Sequence, residues 1–283
     1  MQIVLFEIEP WEYKVFEVLR GEHELEYLHS PLVDDNVNQY TDVDVILTFT
    51  YSNLEGDVLK QFDQLKLIAV RSTGFDYIDL DYCKEQGITV CDVPTYGANT
   101  IAEHIFGLLL IISHNLKDTI DCTCKGDFSL QGLQGFDLRG KTLGVIGTEN
   151  IGRCVIKIAK RFDMEVLGYD VKPDEELSSR LEFCYCDMDE LLSTADIITL
   201  HIPANKSLHN LFSRQEFAQM KDGVIIINTA RGSVIDVHAL VQALAEDKVA
   251  AAGLDVLPKE TSIREEAELL HPFITRSIIW KRF

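Results

Sequence analysis

Apolar residues in this chain fall in short runs rich in Val and Ile. QIVLF (2–6), VDVILTF (43–49), LKLIAV (65–70) and ITVCDV (88–93) predict the strands of a first unit. TLGVIG (142–147), EVLGYD (165–170), DIITLHI (196–202), GVIIINTA (223–230) and VAAAGLDVL (249–257) predict those of a second. Helical patterns lie between them, at 151–162, 186–194, 213–221 and 236–246. Near-continuous apolar strands alternating with helices imply parallel sheets covered on both faces. A long helix is expected over 100–118, followed by a polar, Gly-rich loop over 125–140. The expected fold class is α/β, with two Rossmann-like or flavodoxin-like domains, 1–99 and 100–283, separated by a cleft.

Composition narrows the partners. The 283 residues carry 26 basic and 46 acidic side chains, a net charge of −20. Such a field repels phosphate backbones and anionic membranes, so neither nucleic acid nor membrane is expected as a partner. The N-terminus, MQIVLFEIEPWEYK, lacks the basic flank of a signal peptide, and IFGLLLII (105–112) is too short to span a bilayer. The cysteines, at 83, 91, 122, 124, 154, 184 and 186, are odd in number and lack metal-site clustering. Reduced thiols in a cytoplasmic protein without a metal are expected.

Candidate chemistry begins at GKTLGVIGTENIGRC (140–154), a strand running through glycines into a helix. Gly147 permits a tight turn and Gly152 a close helix–strand approach, while free N–H groups at a helix start can hold a pyrophosphate. The next strand ends at Asp170, where a carboxylate can bind ribose hydroxyls and would repel the 2′-phosphate of NADP. The middle position of G-x-G-x-x-G is Glu149, whose side chain obstructs the phosphates and whose charge repels them. The expectation is an impaired cofactor site; a turn of this shape that binds nothing is the alternative.

Three further stretches end predicted strands. NTARGSVID (228–236) places Arg231 where open α/β sheets bind ligands, suited to pair with a carboxylate and polarise a carbonyl. GLDVLPKE (253–260) supplies Asp255 and Glu260, and LHIPAN (200–205) supplies a proline-containing loop suited to cover a ring.

Together these stretches, with RSTGFDYIDL (71–80) and VPTYGANTIAEH (93–104), resemble the D-isomer-specific 2-hydroxyacid dehydrogenases over roughly residues 1–268. Tyr96 and the AEH pattern look most like the D-lactate dehydrogenase branch. The resemblance implies hydride transfer between NADH and a small 2-keto acid, in a protein that is commonly a homodimer. It makes 1–99 the substrate-binding domain and 100–283 the NAD-binding domain. Arg231 matches the substrate-binding arginine and Glu260 the acid that raises the basicity of a catalytic histidine. Thr73, Gly74 and Tyr96 match the substrate side. Gly147, Asn150, Ile151, Gly152, Asp170, Ile202, Pro203, Thr229, Ala230 and Asp255 match cofactor contacts.

The chain also departs from that pattern. The family's proton donor is a histidine well downstream of the acid matched by Glu260, and from about His271 the pattern is lost. The resemblance therefore implies a chain truncated at its C-terminus, lacking the last strand and the returning helix. His271 is too near Glu260 to substitute, and His104 and His201 match structural positions. Losing a positioned general acid costs about 10²–10⁴-fold in rate, so weak dehydrogenase activity is expected. The alternative is a catalytically silent nucleotide-sensing or protein-interaction module on the same fold.

Overall fold

The computed structural model describes residues 1–203, 208–257 and the backbone of 278–280. The chain divides into two compact units, Met1–Tyr96 and Gly97–Phe283. The division expected after residue 99 thus falls after Tyr96.

In the first unit, β1 (Gln2–Leu5), β2 (Glu24–Tyr27), β3 (Val45–Thr48), β4 (Leu67–Val70) and β5 (Thr89–Cys91) form one sheet. The order is β2-β1-β3-β4-β5 and every pairing is parallel. Central β3 is buried at every position, as a strand covered on both faces must be. The sequence pattern missed β2, because ELEY carries charge at alternate positions and no apolar run. Charge of this kind is what an edge strand uses to refuse further pairing.

The second unit contains β6 (Thr142–Ile146), β7 (Glu165–Tyr169), β8 (Cys184–Tyr185), β9 (Ile197–Leu200), β10 (Val224–Asn228), β11 (Val249–Leu254) and β12 (Ile278–Trp280). They pair in parallel in the order β12-β11-β10-β9-β6-β7-β8. The winding reverses between β6 and β9, the point at which open α/β sheets bind ligands beyond the carboxyl ends of their strands. One face is covered by Leu191, Leu240 and Leu244, the other by Ile105, Phe106, Val155 and Ile156.

Two expectations are corrected here. The long helix over 100–118 is two helices, Ala98–Ser113 and Leu116–Cys124. Asn115 breaks it by adopting the left-handed region at φ 47°, where its side-chain amide donates to the Gln134 carbonyl at 2.9 Å. Asparagine tolerates that region better than most residues, and no hydrophobic pattern reveals it. The last strand is not missing: Ile278–Trp280 adds to the sheet edge beside β11, with Ala252 opposite Ile278 and Leu254 opposite Trp280. Its apolar, β-branched residues have strand propensity, but they lie where the family pattern had already faded.

Among the described residues, no helix is long and apolar enough to cross a membrane, and no group of three His, Cys, Asp or Glu side chains could hold a metal.

Candidate active site

The register of the second sheet arranges its candidate residues. Tyr169 pairs with Ile146, Ile146 with Leu200, Leu200 with Asn228, and Asn228 with Leu254. Five strands therefore end level with one another. The residues that follow them, Asp170, Gly147, His201, Thr229 and Asp255, form a single row along the carboxyl edge.

Gly147 occupies the tightest place in that row. Its φ is 91°, and a Cβ there would lie 2.6 Å from the His201 carbonyl oxygen. Gly152 sits in the first turn of the helix Asn150–Arg161, where a Cβ would lie 2.1 Å from the Gly147 carbonyl oxygen. Both positions thus exclude any side chain. Glu149 differs: its φ is −71°, accessible to every L-residue, and its side chain stands exposed at the helix N-cap without capping it. Asn150 is exposed beside it and Ile151 half-buried.

Asp170 is held by its neighbours. Its Oδ2 accepts hydrogen bonds from the Thr148 backbone N–H at 2.8 Å and the Thr148 hydroxyl at 3.0 Å, and its Oδ1 from the Lys172 N–H at 3.0 Å. Burial by itself would raise its pKa, but these donors hold it below the ordinary carboxylate value.

Across the switch point, buried Asn228 clamps the loop that carries Arg231. Its side-chain oxygen accepts from the Ala230 N–H at 3.0 Å and its amide donates to the Arg231 carbonyl at 3.0 Å. The Asn228 carbonyl accepts from the Asp255 N–H, also at 3.0 Å. Arg231 is half-buried, and its Nη1 donates to the Ala230 carbonyl at 2.9 Å. The Asp255 carboxylate stands 3.2 Å from Nε2 of His104. Ile202 is half-buried and Pro203 exposed. Glu260 and His271 lie outside the described residues.

The row fits a dinucleotide on its own evidence. Gly147, lacking a Cβ, turns the chain tightly against the His201 carbonyl just before the helix start, and Thr229 Oγ1 is buried without a hydrogen-bond partner. Val171, next to Asp170, presents an exposed apolar side chain suited to a base. A buried hydroxyl left unpaired costs free energy until a ligand pairs it.

In the first unit, Thr73 and Gly74 follow β4, both half-buried. The Ser72 hydroxyl lies 3.1 Å from the Phe49 carbonyl and 3.0 Å from that of Gly74. The loop after β3 is tied down by Glu7, a residue the sequence reading passed over. Its carboxylate accepts from the N–H groups of Phe49, Thr50 and Tyr51 at 2.8, 2.7 and 2.7 Å, and from the Ser52 hydroxyl at 3.0 Å. Arg71 pairs with Glu12 and donates to the carbonyls of Phe6 and Glu7. The Tyr77 hydroxyl lies 2.5 Å from the Phe49 carbonyl, and burial pushes its pKa up to about 12. Tyr96, the last residue of this unit, is exposed. Glu7, Thr148, Asn228 and Tyr185 are the polar residues that sequence reasoning missed. Glu7, Thr148 and Asn228 stood within quoted stretches without being singled out as site residues, and Tyr185 carried no signal of its own.

His201 has a separate consequence. Burial pushes its pKa down to about 3, below the unfolded value of about 6.5. Between these values the unfolded chain binds a proton that the native state refuses, so stability falls as pH drops through this window. The group is expected to cost roughly 2 kcal/mol at pH 5 relative to pH 7. Urea unfolding at both pH values measures it: the loss should shrink in His201→Gln, and an equal loss in the variant would rule the mechanism out.

Residues 106–277 match the NAD binding domain of the D-isomer specific 2-hydroxyacid dehydrogenases, and the match runs past His271, correcting the expectation that the pattern is lost there. A 2-hydroxyacid dehydrogenase homolog of Haemophilus influenzae is 36% identical over 270 residues, covering 93% of this chain and 80% of that protein. A hydroxypyruvate reductase of Thermotoga maritima is 36% identical, over 89% of this chain and 82% of its own length. The crystal structure of D-lactate dehydrogenase from Aquifex aeolicus, complexed with NAD and lactic acid, superposes with a TM-score of 0.92. It is 32% identical, covering 99% of this chain and 87% of that one.

Proposed function

Because this chain belongs to the D-isomer specific 2-hydroxyacid dehydrogenase family, we propose that it reduces a small 2-keto acid such as pyruvate to the D-2-hydroxy acid with NADH. The family comprises NAD-dependent oxidoreductases acting on CH–OH groups. The observation that carries the reading is the level row of strand ends, which sets Asp170, Gly147, Thr229 and Asp255 side by side and Arg231 on the adjoining clamp.

When bound, the nicotinamide supplies the hydride. Gly147, Asn150, Ile151 and Gly152 receive the pyrophosphate, and Asp170 receives the adenosine ribose. Ile202, Pro203, Thr229, Ala230 and Asp255 line the rest of the cofactor. Arg231 pairs with the substrate carboxylate and polarises the keto oxygen, so that negative charge developing there meets a fixed guanidinium. In the first unit, Thr73, Gly74 and Tyr96 are assigned to the substrate side on their motifs alone. Glu260 is assigned on its motif alone, as the match of the acid that in the family raises the basicity of a catalytic histidine.

Oxidation of NADH in the presence of pyruvate tests the reaction. Arg231→Gln should lower kcat/KM by about a hundredfold or more while NADH affinity stays within about twofold. No pyruvate-dependent oxidation by the parent protein would dispose of this substrate class, and an unaffected Arg231→Gln would dispose of the assigned role.

The cofactor site is impaired by charge. Glu149 places an exposed carboxylate at the helix start that the pyrophosphate approaches. Calorimetry should find NADH bound about fivefold more tightly by Glu149→Gly at low salt, the gain fading as salt approaches about 1 M. Equal affinities at low salt would refute the impairment.

A second copy of the chain is the expected partner. Leu116, Ile120, Phe128 and Leu130 are exposed on one helix and the loop after it, a concentration of apolar surface in the cofactor unit. Sedimentation equilibrium should give about twice the 32.0 kDa chain mass, and Ile120→Glu with Leu130→Glu should halve it. A parent protein sedimenting as a monomer would exclude the dimer.

A further inference from the structure

We propose that Tyr185 is a positioning and specificity-determining residue of the cofactor site, acting through Thr148 on Asp170. This rests on the reading of Asp170 as the ribose-binding acid, and it adds a residue and a direction to that reading.

The direction follows from counting protons. An ionised carboxylate only accepts hydrogen bonds, so the 3.0 Å contact between Thr148 Oγ1 and Asp170 Oδ2 uses the single hydroxyl proton of Thr148. The 2.8 Å contact between Thr148 Oγ1 and the Tyr185 hydroxyl must then have Tyr185 as donor. The three side chains form a one-way relay from Tyr185 through Thr148 to Asp170. Thr148 is only 3% exposed, so water does not compete for its hydroxyl.

The sheet builds the relay from the carboxyl ends of β6 and β8, the two strands that flank β7. Tyr185 ends the two-residue strand β8 and stands directly opposite Gly168 of β7. Its ring is fixed edge-on against Phe183, with centroids 4.9 Å apart. Gly168 leaves the room: a Cβ there would lie 2.7 Å from the Phe183 ring and 3.2 Å from Thr148 Cγ2. Phe183, Tyr185 and Thr148 can therefore converge beneath the glycine turn, where Thr148 is the residue between Gly147 and Glu149.

The relay decides what Asp170 can recognise. With Oδ2 held by both donors of Thr148 and Oδ1 held by Lys172, the carboxylate cannot swing away. A fixed negative charge favours ribose hydroxyls and repels a ribose 2′-phosphate. When Tyr185 loses its hydroxyl, Thr148 is free to rotate, Asp170 loosens, and discrimination between NADH and NADPH weakens along with affinity.

Calorimetric titration with NADH and NADPH tests this on the parent, Tyr185→Phe, Thr148→Val and the double variant. Tyr185→Phe keeps the ring, and it should raise the NADH dissociation constant about three- to tenfold and lower the NADPH-to-NADH ratio of dissociation constants. Thr148→Val should do at least as much, and Thr148→Ser should retain parental affinity. In the Thr148→Val background, Tyr185→Phe should have no further effect, because its influence passes only through that hydroxyl. The same loss in both backgrounds would show Tyr185 acting by packing and overturn the proposal, as would an unchanged Tyr185→Phe. Absence of NADH binding by the parent overturns the cofactor reading and the relay together.

Discussion

The level ending of five parallel strands is the constraint on which the site depends. In a parallel sheet buried on both faces, register is fixed by which side chains must point into each layer, and a slip of one residue reverses them all. Here the register brings the first residue beyond each strand into one line. The line is locked where β6 and β9 separate. Gly147 can have no Cβ because the His201 carbonyl occupies that space, and Gly152 can have none because of the Gly147 carbonyl. Two backbone contacts thus set how closely the helix Asn150–Arg161 approaches the sheet edge, and with it the position of the helix start that faces a ligand.

Fixed carboxylates complete the frame. In a chain of net charge −20, two half-buried acids are nonetheless stabilised by the donors around them. Asp170 accepts from Thr148 twice and from Lys172; Glu7 accepts from three consecutive backbone N–H groups and a hydroxyl. Charge-assisted bonds of this number offset the cost of withdrawing a carboxylate from water. Each acid follows the end of a strand, β7 or β1, and holds the loop after a neighbouring strand. At Glu7 the arrangement also sustains a left-handed backbone, φ 56°, which a non-glycine residue adopts only when its surroundings compensate. The two units use the same device, a strand-end acid clasping the next loop, once beside Gly147 and once beside Thr73 and Gly74.

What could be read from the sequence follows from this physics. Strands such as IITL and VIIIN are buried on both faces, so composition alone marks them. Asp170 and Asp255 could be placed at strand ends because a residue closing an apolar run on an α/β sheet stands at the ligand-binding edge, whereas Thr229 was named only through the family resemblance. The edge strand β2 was not legible, being half charged, nor was the two-residue β8. The helix break at Asn115 depends on an amide reaching Gln134, and the grip of Glu7 on the loop at 49–52 spans more than forty residues. Hydrogen bonds across such distances leave no periodicity. Thr148 and Tyr185 are the sharpest case: one fills an unspecified position between two glycines, the other lies on a strand too short to register, and only the folded sheet brings their hydroxyls together.

Glu149 shows why a motif must be read position by position. The three positions of G-x-G-x-x-G are commonly treated alike, yet here they answer to different constraints. Gly147 and Gly152 are required by backbone contacts, so substitution there disturbs the fold. Position 149 has an ordinary negative φ and open space around it, so glutamate fits without strain. The effect proposed for it is electrostatic. The partial positive charge at a helix N-terminus that stabilises a bound phosphate also stabilises a nearby carboxylate. An acid at that position therefore favours the unliganded helix by the same field that would favour the cofactor. On the proposed reading, the residue leaves the architecture of the turn intact while competing, from within the chain, for the feature that makes the turn a binding site.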